Sequence, residues 1–391
     1  ARCSRHALFD QGAQFFTVTD SRFKMLVESP VVSGLVEEWR GRFGVLGSRG
    51  GEVLPRDNVM TSGMFRMPST RADSEDEAVA SAAAARKREI LHSPINCYGF
   101  LEGPTSQQLY SGVGGVGALI PAVLKRAQVD VRLGVRVADL AFVECNGSGR
   151  RKWQLTTNED LQHEPFDSVV LANHNPAFVA DVLQRLQTGA PDPELSQDAV
   201  ATLIRQFTDR LRGLCHVEQS RYSLMLAFPR ALGELPFDAV SVHGSKLQFL
   251  SRDTSKPGRG RGEGDDVECW VAHSSAEFAA QLDGKLGAGS PEAADHMFAA
   301  VEHLLGRFFE GGALPSPLCR HAHRWRAASF PEPLELNEAG ETHNDAVTFS
   351  PWSIALCGDY LGARQGIEEA ALSGMMAANR VAQWASQRQA L

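Results

Sequence analysis

The chain has 391 residues, 43% apolar and 22% charged, with a formal net charge of −8. This is the composition of a soluble globular protein too long for one ordinary core, so two packed domains are expected. The charge gives no support to a nucleic-acid surface, and the best apolar run, residues 113–124, is too short to span a bilayer and is interrupted by Pro121.

Residues 8–17 read Leu-Phe-Asp-Gln-Gly-Ala-Gln-Phe-Phe-Thr, and alternation puts Gln14 and Phe16 on one face, which either contacts a ligand or packs. Residues 69–89 pass from Asp73-Ser-Glu-Asp-Glu77 through an Ala-rich stretch to Arg86-Lys-Arg-Glu89 and read as a surface insertion. Gly112-Val-Gly114-Gly-Val-Gly117 fits Gly-x-Gly-x-x-Gly ahead of a predicted helix, with Asp139 at a suitable distance beyond. That motif needs a buried strand immediately before it. Residues 103–110 are polar and turn-like, so the match is read as a decoy.

Residues 199–213 and 291–310 carry apolar side chains at helical spacing, among them Ile204, Phe207 and Leu211 in the first and Met297, Val301 and Leu304 in the second. Both predict helices facing a core. Residues 247–250 and 267–271 alternate as antiparallel strands joined by a loop rich in Gly, Arg and Lys. On the second strand Cys269, Val271 and His273 face one way, Trp270, Ala272 and Ser274 the other. His273 is then a structural histidine or a substrate contact.

Cys319-Arg-His321-Ala-His323 sets three potential metal ligands on one face of a strand, but no fourth is evident nearby, and a β-strand with partly buried imidazoles is expected instead. Seven widely spaced cysteines without a Cys-x-x-Cys pair suggest reduced thiols in an intracellular compartment. Near the C-terminus, Ser353-Ile-Ala-Leu-Cys-Gly-Asp359 reads as a buried strand opening onto a ligand, with a helix predicted over residues 367–384. Gly358 lets a ligand approach the backbone, Asp359 can accept hydrogen bonds from hydroxyls, and the helix N-terminus offers free N–H groups. The same residues also fit a strand, a turn and a packing helix.

Several blocks resemble the renalase-like flavin-dependent oxidases of the amine-oxidase superfamily. They are Arg2-Cys-Ser-Arg5 with residues 8–17, Tyr110-Ser-Gly-Val-Gly-Gly-Val-Gly-Ala-Leu119, Val131-Arg-Leu-Gly-Val-Arg-Val137 and Phe166-Asp-Ser-Val-Val-Leu-Ala172, followed by Ser255-Lys-Pro-Gly-Arg259, Trp270-Val-Ala-His-Ser274 and His323-Arg-Trp325. They occur in the family's order, and with the C-terminal block the resemblance extends from residue 2 to residue 374. It implies an α/β fold: an FAD/NAD(P)-binding three-layer domain carrying an inserted α+β substrate domain on a mostly antiparallel sheet. The FAD-binding domain would comprise residues 1–20, 108–175 and 345–391. The substrate domain would comprise 21–107 and 176–344, with the insertion near 69–89. A strand, a Gly-x-Gly-x-x-Gly turn and a helix, roughly 30 residues in all, would precede Arg2 in that family. The chain is therefore read as incomplete at its N-terminus.

The resemblance further implies FAD as cofactor, bound by Arg2, Gly12, Ala13, Gln14, Val137, Gly358, Asp359 and Ile367, with Phe16 and His273 facing substrate. A hydride would pass from a dihydronicotinamide nucleotide isomer or an amine to flavin N5, and O2 would reoxidise the flavin. Four tyrosines without a diagnostic pair lean against an amine. No catalytic base, metal, nucleic-acid partner or membrane partner is expected. Glu369 stands where relatives usually carry a small residue, so its carboxylate must point away from a reduced flavin. The alternative is a non-catalytic binding relative that has lost dinucleotide binding.

Overall fold

Residues 7–47, 108–144, 151–158, 164–173, 176–186, 197–217, 219–233, 235, 237–243, 245–259, 267–287, 289–329, 346–361 and 365–389 are described by a computed structural model. The first elements are α1 (Ser21–Glu28), β1 (Val36–Glu38), β2 (Phe43–Gly47), β3 (Tyr110–Gly112) and α2 (Val116–Arg126). They are followed by β4 (Val137–Glu144), β5 (Arg151–Thr157), β6 (Val169–Leu171), α3 (Pro176–Leu186), α4 (Gln197–Val217), β7 (Gln219–Phe228), β8 (Ala239–His243), β9 (Leu247–Arg252) and β10 (Glu268–Ser274). The chain continues through α5 (Ala276–Leu282), α6 (Pro291–Leu305), β11 (Cys319–Ser329), β12 (Val347–Phe349), β13 (Ile354–Leu356) and α7 (Ile367–Gln389). The fold is mixed α/β. No helix among the described residues is long and apolar enough to cross a membrane.

Two compact units are present, one of Ala1–Thr19, Leu26–Ala127 and Ser220–Arg326, the other of Asp20–Met25, Gln128–Gln219 and Ala327–Leu391. In the first, six strands run in the order β11, β7, β10, β9, β8, β2; β7–β10, β10–β9 and β9–β8 pair antiparallel and β8–β2 parallel. The two strands predicted at 247–250 and 267–271 are β9 and β10. Trp270 and Ala272 face the main core of this unit, with α5 and α6 covering it through Phe278, Met297, Val301 and Leu304. Helix α6 starts where its sequence says it should: the Ser290 hydroxyl caps the Glu292 N–H at 3.2 Å, and Pro291 occupies the first turn.

In the second unit β13 is central, parallel to β6 and antiparallel to β12. Its three residues are fully buried, which is why the run reads as continuously apolar rather than alternating. Trp153 is enclosed beside it and donates its indole N–H to the Trp352 carbonyl at 2.7 Å. Helix α7 extends five residues past the predicted end, and Arg388 in its last turn bonds the Asp167 carbonyl and the Ser168 and Ser353 hydroxyls.

Three expectations are corrected. Residues 131–136, where the resemblance implies the family's adenine-side strand, are not a strand; β4 begins only at Val137, where pairing with Thr157 starts. A strand does precede the glycine run, since Leu109 is buried and β3 follows, but β3 pairs antiparallel with β1 in a two-stranded sheet instead of joining a parallel one. Cys319 is disulfide-bonded, whereas Cys215, Cys269 and Cys357 are reduced. The insertion read at 69–89 and the predicted contact Arg2 lie outside the described residues.

Candidate functional site

The first unit holds a buried ionic cluster built from two stretches far apart in sequence. After β9, a short 3-10 turn at Asp253–Ser255 leads into Lys256-Pro-Gly-Arg259, and Gly258 at φ +68° reverses the chain so that Lys256 and Arg259 both point back at Asp253. The Lys256 ammonium lies 2.5 Å from Asp253 Oδ1 and 3.0 Å from Asp10 Oδ2, while the Arg259 guanidinium bonds Asp253 Oδ2 and, at 2.9 Å, Asp10 Oδ1. Side-chain exposure is 0% for Lys256 and Asp253, 1% for Asp10 and 6% for Arg259, so each charge depends on its partners rather than on water. Two carboxylates and two cations leave the cluster neutral.

Gln14 extends the network. Its Oε1 accepts from Lys256 Nζ at 2.9 Å and from the Ser251 hydroxyl at 2.8 Å, and its amide donates to the carbonyls of Asp10 and Gly12. Phe16 is buried beside it, stacked on Tyr110, and Phe15 on the opposite face packs against Trp39 and Phe249. Ala13 is exposed, and Gly12 lies against the ring of Trp325.

His273 stands 3.5 Å from the Gln14 amide nitrogen and bonds the Gln11 backbone. That backbone gathers contacts from three strands, because the Gln11 carbonyl also accepts from the Ser223 hydroxyl at 2.6 Å and the Trp325 indole at 3.1 Å. Burial and the Lys256 ammonium push the His273 pKa from 6.5 down to about 4. The imidazole is thus neutral at pH 7. The folded state binds fewer protons than the unfolded state between pH 6.5 and 4, so stability falls as pH falls through that window, by about 3 kcal/mol in all. His273→Gln should remove that share. Urea midpoints at pH 7 and pH 4.5 are expected to converge for the variant relative to wild type; equal losses in both proteins would mean that His273 titrates normally.

The glycine run at 112–117 serves this cluster. Gly115 precedes α2, and in the first turn the Gly117 N–H donates to Asp10 Oδ1 at 3.2 Å. A carboxylate of the chain thus sits where a phosphate would be held by such a turn. Arg259 Nε bonds the Gly114 carbonyl at 3.0 Å, and Gly114 N–H bonds the Pro257 carbonyl at 2.9 Å. Beside the Lys256 turn an open cavity of about 500 Å³ is lined by Glu37, Glu38, Arg40, Ser255 and Pro257. It contains none of the predicted site residues.

The second unit carries the remaining predicted contacts. The Gly358 N–H donates to the Ser373 hydroxyl oxygen at 3.0 Å, and a Cβ at Gly358 would fall 2.5 Å from the Tyr360 ring. Asp359 opens a 3-10 turn after β13, Ile367 is the first residue of α7, and Val137 the first of β4. Glu368 and Glu369 are buried in the first turn of α7; Glu368 Oε1 accepts from the Asp20 N–H at 2.7 Å, and Glu369 Oε2 lies 3.5 Å from where a Gly366 Cβ would be. These carboxylates complement the positive end of the helix. Among the described residues no group of His, Cys, Asp and Glu is arranged to hold a metal ion, and the Cys319 sulfur is committed to its disulfide.

No family model matches the sequence. Among solved structures, an oxidoreductase from Methanosarcina mazei aligns at 15% identity and TM-score 0.43, covering 70% of this chain and 56% of its own. Cyclohexylamine oxidase from Brevibacterium oxydans aligns at 12% and 0.43, covering 71% and 55%, and a reduced UDP-galactopyranose mutase at 10% and 0.43, covering 72% and 54%. The chain spans about half the length of these proteins. The functional conclusion rests on its own residues.

Proposed function

We propose that this chain is an FAD-dependent oxidoreductase of the renalase-like or amine-oxidase-like kind, taking a hydride from a small substrate, a dihydronicotinamide nucleotide isomer or an amine. One observation carries the reading. The blocks that resemble the family are scattered over the sequence, yet Asp10 and Gln14 of the first, Gly117 of the second, Lys256 and Arg259 of another and His273 of the next meet in a single hydrogen-bonded cluster. That the resembling blocks meet in one cluster supports the reading better than any block alone.

The fit to the cofactor differs from part to part. Gly358 and Asp359, at the end of a buried strand, suit the hydroxyl-bearing portion of FAD, with Val137 and Ile367 as further proposed backbone contacts. The glycine turn before α2 does not suit the pyrophosphate, because Asp10 fills it. The start of α7 does not suit the negative charge of a reduced flavin, because Glu368 and Glu369 stand there. When bound, the flavin would supply hydride acceptance and reoxidation by O2. The chain's own part is positional. Lys256 and Ser251 fix the Gln14 amide, and Gln14 with the Gln11 backbone fixes a neutral His273, which can accept a hydrogen bond but carries no charge to substrate.

The two carboxylate-filled helix starts also favour the second reading, a binding protein on an oxidase-like fold. The absorption spectrum of the purified chain separates the two. Bands near about 370 and 450 nm, released on denaturation, are expected for a flavoprotein; no bands, with none after incubation with excess FAD, would end the oxidoreductase reading in favour of the binding protein.

A further inference from the structure

Cys319 is the first residue of β11 and is 9% exposed. Its side chain shares a small apolar cluster with Ala227 of β7 and Cys269 of β10, and Ala7, Phe9 and Val267 pack against that cluster. The segment from Ala7 to Gln14 therefore starts beside Cys319 and runs on to the ionic cluster through Asp10, to Ser223 and Trp325 through the Gln11 carbonyl, and to Ser251 through Gln14. Cys319 is disulfide-bonded, while Cys215, Cys269 and Cys357 are reduced, which leaves Cys3, Cys97 and Cys145 as its possible partners within the chain. Cys269 is excluded by spacing as well: β7 lies between β10 and β11, and two strand spacings, about 9.5 Å, exceed the reach of a disulfide. Cys3 is four residues from Ala7, so its Cα is tethered within about 14 Å of a residue that already packs on Cys319. Cys97 and Cys145 are each more than 80 residues from the nearest member of the cluster.

We propose that Cys319 is bonded to Cys3, and that this bond is a redox-sensitive tie holding residues 7–14, with Asp10 and Gln14, on the sheet. Seven scattered cysteines without a Cys-x-x-Cys pair do not make a structural disulfide framework, and a disulfide outside such a framework is the kind that responds to redox poise. Leu318 beside it is 59% exposed, so a reductant reaches the bond with little displacement of the chain. A dithiol opens it in two exchanges. One reductant thiolate attacks a sulfur of the bond and releases the other cysteine as a thiolate, which takes up a proton; the second reductant thiolate then displaces the remaining cysteine. The reductant leaves as a disulfide, and Cys3 and Cys319 together gain two electrons and two protons. After reduction the start of the segment is held by the packing of Ala7 and Phe9 alone, and the closure of a loop of more than 300 residues is lost. The tie serves the oxidoreductase and the binding protein alike, so it stands or falls separately from the flavin.

Peptide mapping tests the pairing. The full chain, purified in air-saturated buffer, is alkylated at its free thiols and digested with trypsin without reduction. Cleavage after Lys and Arg places Cys3 in peptide 3–5, Cys319 in 308–320, Cys97 in 89–125 and Cys145 in 137–150. Mass spectrometry is expected to find 3–5 linked to 308–320, and the linked species should vanish with dithiothreitol. Linkage of 308–320 to either other peptide, or its recovery as an alkylated thiol, overturns the proposal. Hydrogen exchange tests the tie. The Asp10 N–H, which donates to Asp253 Oδ2 at 2.8 Å, should exchange at least tenfold faster in the reduced protein, with the amides of β9 and β10 unchanged. Cys319→Ser should show the fast rate with or without dithiothreitol, and so should Cys3→Ser, which leaves the packing around Cys319 untouched. Equal rates in the oxidised and reduced protein, or an equal acceleration in β9 and β10, would overturn the tie.

Discussion

Replacing Lys256 with Met is expected to lower the unfolding free energy by about 3–5 kcal/mol, the cost of leaving buried charge without its partner. The aliphatic volume is nearly conserved, so a cavity is not the cause. What is lost is the ammonium that bonds Asp10 and Gln14 and ion-pairs with Asp253 while itself 0% exposed. Arg259 then has to compensate two carboxylates alone. Urea denaturation should show a lower midpoint with an unchanged slope. The double variant Lys256→Met/Asp253→Asn should lose less than the sum of the two single changes, because it removes a charge of each sign. Strict additivity, or a loss below about 1 kcal/mol for Lys256→Met, would mean that the ammonium is solvated and the cluster does not form.

This cluster is also the part of the site that the sequence concealed. Asp10, Lys256 and Arg259 lie inside stretches singled out by resemblance, and Asp253 just outside one, yet nothing local marks them as partners across more than 240 residues. The available signal was charge out of place: a carboxylate between Phe9 and the Gly-Ala-Gln run, and a lysine following an alternating strand. Local pattern did identify what local physics controls. The helical stripes became α4 and α6, the alternating runs became β9 and β10, and the apolar run before Gly358 became the buried strand β13. Alternation also predicted the division of β10, with Trp270 and Ala272 in the main core and Cys269 in a separate small cluster. Resemblance failed at residues 131–136, where the block implies a strand but none is formed among the described residues. Pairing is a property of the partner, and periodicity cannot supply it.

The glycine run shows how a motif can be legible and its use still hidden. Gly115→Ala is expected to destabilise the first unit by about 3 kcal/mol or more. Gly115 sits at φ +109° and ψ 162°, a region essentially reserved for glycine, where a side chain costs about 1–3 kcal/mol in strain alone. A Cβ there would also fall 2.5 Å from Arg259 Cζ and 2.7 Å from Nε. That guanidinium is not a free end able to step aside. It is held by Asp10, Asp253 and the Gly114 carbonyl, so moving it disrupts the same cluster that Lys256 completes. The two effects can be separated. In an Arg259→Ala background the steric part disappears and only the backbone strain should remain, so the cost of Gly115→Ala should shrink to about 1–3 kcal/mol. An unchanged cost in that background would place the penalty in the backbone alone. A negligible cost in wild type would mean that the glycines leave room for a ligand rather than for Arg259. The chain would then hold at α2 the open turn that Asp10 and Arg259 now close, and Gly112 to Gly117 would have to be reconsidered as a phosphate site.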